Sequence, residues 1–271
     1  MWAINKSPLI IGAILDDSFP KHSLETLSKK EIIAINQDPN GKPANLVRRY
    51  AEEWDVWHGE LSGGKQVLGI ANWKAQNRNV QFDLRSMGIE SADVRDPWTP
   101  QDMGRRSGLQ TFDLNAHELK LWVLSNIEMT KTPPSSTGYH HAVDGTLTGS
   151  AKSDYCTGSD CKYGSRVRYL GRGSTATYSS VSAKTPGTKV MGIDFVNFDH
   201  SDNNIRKINI AINGASSKSW AVPLSGQSWN EYTRLNIEID GFKDGANTVV
   251  FSGVGDDDGW APDVVGFDVY E

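Results

Sequence analysis

Residues 28–49 read SKKEIIAINQDPNGKPANLVRR. The stretch opens as a helix and stops abruptly. Ser28 and Glu31 have the spacing of a capping box, and Ile32, Ile33 and Ile35 make a short apolar face. Asn36-Gln37-Asp38-Pro39-Asn40-Gly41 then breaks the pattern. Asp38 precedes a proline and is pushed out of the helical region, and Gly41 accepts a positive φ at no steric cost. Upstream, PLIIGA (8–13) is a continuous apolar run of the kind a buried parallel strand shows. Downstream, short strands dominate. The stretch therefore reads as a junction between two architectures.

Composition narrows the function classes. The chain has 271 residues, enough for one large domain or two ordinary ones. Its 38% hydrophobic content supplies packed cores, yet no run reaches the ~20 apolar residues that span a bilayer. A net charge of −5 gives no electrostatic footprint for nucleic acid. Neither a membrane nor a nucleic-acid partner is expected. Met1-Trp2-Ala3-Ile4 lacks the cationic region, apolar core and cleavage site of a signal peptide. Met1 is read as an internal methionine of a longer protein or a fragment boundary.

From Ala44 onward the runs VWHGEL (56–61), KQVLGIANW (65–73), NVQFDL (79–84), DVRDPWT (93–99) and TFDLNAHELKLWVLS (111–125) are strand-like. Leu61-Ser62-Gly63-Gly64-Lys65 is a hairpin signal. Leu119, Leu121 and Val123 alternate with Lys120 and Trp122, the period-two pattern of a strand. These runs predict an antiparallel β-sandwich over 41–128. MTKTPPSST (129–137) is a linker by composition. Residues 138–271 carry a second series: SRVRYLG, TATYSSV, KVMGIDFVNF, NIRKINIAING, SWAVPL, TRLNIEID, NTVVFSG and VVGFDVYE. Their alternation and turn spacing predict a β-sandwich or jelly roll.

Two resemblances attach to these stretches. IIAINQDPNGKPA, with WAINKSPLIIGA before it, resembles the end of the (β/α)8 barrel of the family-27 glycoside hydrolases, the α-galactosidases and their relatives. DVRDPWT and NAHELKLWVL sit where that family places similar runs in its C-terminal β domain. VDGTLTGSA, YLGRGSTATY, INGASSKSW, DGANTVVFSG and PDVVGFDVYE resemble, in order, the family-35 and family-6 carbohydrate-binding modules. The fold class this implies is mainly β: a remnant βα unit of a (β/α)8 barrel over 1–40, then the sandwich, then a carbohydrate-binding-like module. One βα unit lacks most of its burial partners. Residues 1–40 are therefore expected to fold poorly or to pack on the next domain, leaving exposed apolar surface.

The site residues follow. Glycoside hydrolysis normally needs two carboxylates flanking the scissile bond. The family resemblance puts both on barrel strands other than the one present, so no catalytic residue is assigned. Asp16 and Asp17 read as a loop or helix cap. In GDDDGWAPD (255–263) a flat aromatic stands beside several carboxylates; a tryptophan covers the apolar face of a sugar while carboxylates accept from its hydroxyls. Trp260, Asp258 and Asp263 are the carbohydrate-binding candidates, against the reading of an acidic turn with Trp260 in the core. A calcium variant would use Asp256 and Asp258. The carbohydrate-binding families carry a structural calcium held by two glutamates flanking an alanine and by a late aspartate. Those positions read His141, Ala142, Val143 and Val265, which lack the oxygen ligands calcium wants, so no metal or other cofactor is assigned. Cys156 and Cys161 either close a local disulfide or remain two thiols. The resemblance implies an extracellular parent enzyme that releases terminal α-galactose. This chain itself would be inactive, a carbohydrate-binding protein or a structural appendage.

Overall fold

The computed structural model describes residues 1–156, 164–199, 206–254 and 259–271. The elements in order are α1 (Lys21–Leu27), α2 (Lys30–Asn36), β1 (Asn45–Arg49), β2 (Trp54–Glu60), β3 (Gln66–Asn72), β4 (Arg78–Asp83), β5 (Ile89–Asp96), β6 (Gln101–Ser107), β7 (Leu109–Leu114), β8 (Leu119–Met129), β9 (Ser136–His141), β10 (Thr146–Thr148), β11 (Lys152–Tyr155), β12 (Ser165–Arg168), β13 (Thr175–Ala183), β14 (Gly187–Val196), β15 (Arg206–Ile212), β16 (Lys218–Val222), β17 (Thr233–Phe242), β18 (Gly245–Gly253) and β19 (Asp263–Tyr270). The chain divides into two compact units. The first comprises residues 1–47 and 54–133, the second residues 48–53 and 134–271.

In the first unit β2, β3, β8, β5 and β6 form a continuous antiparallel order. The pair β4–β7 covers one face, where Phe112 and Trp122 meet at 4.6 Å between ring centroids. The other face is covered by the N-terminal segment. Ala3, Ile4, Ile32 and Ile35 are buried with Ala44, Leu61, Val67 and Leu121. Burial of each large aliphatic side chain there is worth about 1.5–3 kcal/mol. Ile32 and Ile35 stand three residues apart and share the inner face of α2, while Ile33 points out.

Two local expectations change. Ser28 does not cap α2; it ends α1, and the residue before α2 is Lys29 with no side-chain cap. Glu31 instead grips Arg95 of β5 through two bonds of 2.6 and 2.8 Å, a bidentate pair that fixes the helix to the sheet. The run 8–13 forms no strand. Apolar sequence drives burial only where a partner surface exists, and Leu9, Ile10, Ile11, Ile14 and Leu15 all stay exposed. Asp16 accepts from the Ser18 backbone N–H at 2.9 Å, a local turn contact. The break at 36–41 is well tied. Asn36 donates to the Ser7 carbonyl at 2.9 Å, and Asp38 accepts from the Ser62 hydroxyl at 2.7 Å in the β2–β3 turn.

The second unit is a sandwich. One sheet runs β11-β12-β19-β14-β17, with β9 also on β19; the other runs β10-β13-β18-β15-β16. Ile208, Ile210 and Ile212 point inward along β15, as their alternation predicts. Tyr178 and Phe251 of one sheet meet Phe267 of the other edge-to-face, at 5.0 and 5.1 Å. Fully buried Asn247 is a polar plug within this unit. Its amide nitrogen donates to the carbonyls of Lys243, Gly245 and Val181, and its oxygen accepts from Asn213 Nδ2 and the Lys243 N–H.

Two outcomes are expected. Asn247→Ala strands several buried backbone groups and should lower the unfolding free energy by about 2–4 kcal/mol in a denaturant titration. Ile10 and Ile14 are 81% and 82% exposed. Replacing both with lysine should reduce self-association in sedimentation velocity and leave Tm unchanged; a drop in Tm would mean that these side chains pack.

Candidate functional site

The second unit has a cavity of about 350 Å³ lined by Arg168, Tyr169, Arg206, Trp229, Trp260 and Asp263. Two of the residues singled out in the sequence, Trp260 and Asp263, meet here. Asp258 and Asp256 lie outside the described residues, and so does Cys161, the proposed partner of Cys156.

The backbone sets Trp260 in place. Gly253 passes so close to its neighbours that a Cβ would lie 2.4 Å from the Leu170 carbonyl oxygen and 2.5 Å from that of Gly259. A Cβ at Gly171 would come within 3.0 Å of the Trp260 ring. Glycine at both positions lets three chain segments close around the ring, and the Ala261 N–H donates to Leu170 O at 2.9 Å. Trp260 remains 41% exposed and meets Tyr169 edge-to-face at 5.9 Å. Tyr169 is itself 45% exposed and held at φ 58°. That left-handed conformation costs a non-glycine residue about 1–3 kcal/mol and persists where surrounding structure enforces it.

Three arginines brace the aromatic walls. Arg168 lies over the Tyr169 ring at 5.0 Å and bonds Asp154 at 2.7 Å. Arg206 lies over Trp229 at 4.9 Å, bonds Asp199 at 2.9 Å and donates to the Ala261 carbonyl at 3.1 Å. Arg166 donates to the Trp229 carbonyl at 2.6 Å. Cation–π contacts of this kind contribute about 0.5–2 kcal/mol each.

Asp263 sits behind these groups rather than at the mouth. Its side chain is 7% exposed, and Oδ2 stands 3.5 Å from Nε of both Arg166 and Arg168. Among the described residues, that oxygen and the two Nε atoms make no hydrogen bond. Burial pushes the Asp263 carboxyl up to about 6, against the pull of Arg166, Arg168 and Arg206. With the folded value above the unfolded one, this group contributes stability that is full below about pH 4. That contribution is lost as pH rises through about 6.

The sequence pointed to Trp260 and Asp263 but not to Tyr169, Trp229, Arg168 or Arg206. One signal was available: Arg166 and Arg168 flank buried Val167, so both arginines share the opposite face of β12. Trp220 is buried in the core.

The calcium implied by the carbohydrate-binding resemblance does not fit the residues present. The His141 ring and the Asp144 carboxylate cap each other's backbone across a short 3-10 turn. Val265 is buried with Val196 in an apolar cluster packed by Trp229 and Tyr232. Among the described residues, no group of three or more His, Cys, Asp or Glu is placed to hold a metal. A wider hollow in the first unit, between Glu25, Ser28 to Glu31, Pro97 and Pro100, has no aromatic wall.

Comparison with known proteins bears on the whole chain. Residues 51–124 match the family model of the alpha galactosidase C-terminal beta sandwich domain. A probable alpha-galactosidase D of Aspergillus fumigatus is 30% identical over 380 residues, covering 100% of this chain and 58% of that protein. Alpha-galactosidase D of Emericella nidulans is 26% identical over 387 residues, again covering 100% of this chain and 58% of its own length. A family 35 carbohydrate binding module from Clostridium thermocellum overlays 50% of this chain and 99% of its own, at 22% identity and a TM-score of 0.46. The chain spans a little over half the length of the curated relatives it matches. The first unit thus matches the C-terminal β-sandwich domain of alpha galactosidases, and the whole chain is similar in sequence to alpha-galactosidase D.

Proposed function

We propose that the chain is part of an extracellular, retaining α-galactosidase-type glycoside hydrolase, and that its second unit holds carbohydrate in the Trp260 cavity. The observation that carries the binding reading is the pairing of exposed Trp260 with exposed Tyr169 beside Arg168 and Arg206. A sugar ring presents an apolar C–H face and a rim of hydroxyls. Trp260 offers the first a flat surface, and the guanidinium N–H groups donate to the second. A cavity of about 350 Å³ is in the range of small-ligand sites and suits a short stretch of glycan. The hydrolase reading rests on kinship to alpha-galactosidase D along the whole chain. The glycan is an α-galactoside, as the names of those relatives suggest. No residue of this chain is assigned the chemistry, so its contribution is to hold and orient carbohydrate.

The binding reading is tested by affinity electrophoresis and calorimetry on galactomannan. Trp260→Ala should weaken binding at least tenfold, about 1.4 kcal/mol, with an unchanged far-UV spectrum. Equal retention of variant and wild type would remove the cavity from consideration. The 271-residue chain should leave an aryl α-galactoside intact; turnover above background would place the reacting carboxylates within it.

A further inference from the structure

We propose that Asp263 is a positioning residue of this cavity, whose carboxylate holds Arg166 and Arg168 and, through them, the aromatic walls on which carbohydrate stacks. The proposal rests on the glycan reading for its ligand but not for its geometry.

Direct contact between Asp263 and a ligand is disfavoured by placement. The side chain is more than nine-tenths buried, and its unpartnered Oδ2 lies between two guanidinium groups. What it touches is informative. Arg166 ends on the Trp229 carbonyl and Arg168 over the Tyr169 ring. One carboxylate thus governs two walls that come from separate parts of the sequence. Among the described residues, four charged groups face it. Arg166 and Arg168 come from β12, Arg206 from β15 and Asp154 from β11. Asp199, after β14, neutralises Arg206, and Asp154 neutralises part of Arg168. Arg166, with a side chain 10% exposed, has its ion pair with Asp263. Neutralising Asp263 therefore relieves a buried carboxylate of its charge but removes the counter-charge that holds Arg166 in place. Arg166 is then expected to turn toward water and to give up its bond to the Trp229 carbonyl.

The carboxyl protonates as pH falls through about 6, because burial disfavours its charge. The clamp is then closed at neutral pH and open in acid. Carbohydrate affinity should follow it, falling about tenfold between pH 7.5 and pH 5.

The test uses the full chain with Asp263→Asn and Asp263→Glu. Acrylamide quenching of tryptophan emission, measured without ligand from pH 4.5 to 8, should show a wild-type transition centred near 6. The transition should be absent in Asp263→Asn and restored in Asp263→Glu. Galactomannan affinity of Asp263→Asn should be low and flat with pH, matching the wild type at pH 5. A wild-type pH profile in Asp263→Asn, in quenching or in affinity, would overturn the proposal. So would the lack of any wild-type transition between pH 5 and 7, which decides the matter even if Asp263→Asn fails to fold. Should the wild type bind no galactomannan at any pH, the glycan reading falls, while the quenching titration still reads the clamp.

Discussion

A β-sheet has two faces, and each must be covered or made polar. Strand β8 shows how the first unit meets that constraint. Adjacent Leu121 and Trp122 point to opposite sides of the sheet, and both are buried. Trp122 packs on Phe112 of the β4–β7 pair; Leu121 packs with Ile4, Ile32 and Ile35. The N-terminal helix and its lead-in thus complete a core that the sheet would otherwise expose. Arg95 bonds Glu31 and Asp102, which fixes that cover electrostatically as well as by packing. Cover by this segment is partial, because α2 is a short helix and brings only its inner face to the sheet.

The second unit solves the same problem by pairing two sheets. Its inner faces interlock through Tyr178, Phe251 and Phe267. Its remaining polar groups are then organised in a few dense networks. Asp194 and Arg234 form one, with two bonds of 2.8 and 3.0 Å and Tyr139 donating to the same carboxylate. Buried ion pairs of this kind add little net stability, but removing one partner is strongly destabilising.

The mainly β architecture was legible because alternation survives wherever one face of a strand is dry and the other wet. Ile208, Ile210 and Ile212 are such a case. Legibility failed where that premise failed. Lys120 and Trp122 alternate with Leu121, but Trp122 is buried against Phe112, so both faces of β8 are covered at this point. PLIIGA reads as a strand by composition alone, but strand formation also needs a hydrogen-bonding neighbour, which no local pattern reveals. The Ser28–Glu31 spacing suits a cap, yet Glu31 is claimed by Arg95, 64 residues away. In the cavity, Trp260 stood out because an aromatic in an acidic, glycine-rich loop is conspicuous. Tyr169, Trp229 and Arg206 come from separate segments, and their meeting is a tertiary fact.

That meeting also explains why arginine recurs around the cavity. Two half-exposed aromatic rings gain most by collapsing onto each other, which would close any cleft between them. A guanidinium over a ring satisfies the ring's face and stays partly hydrated, so it holds the wall in place without filling the space in front of it. Two of the three arginines sit over rings in this way and the third, Arg166, bonds the Trp229 carbonyl; the three cations need three anions. Asp154 and Asp199 reach solvent, where their charge costs little to keep. Asp263 does not, and its charge is the most expensive of the three. An open aromatic cavity built this way depends on one buried carboxylate. The residue least able to touch a ligand is therefore the one on which the shape of the site most depends.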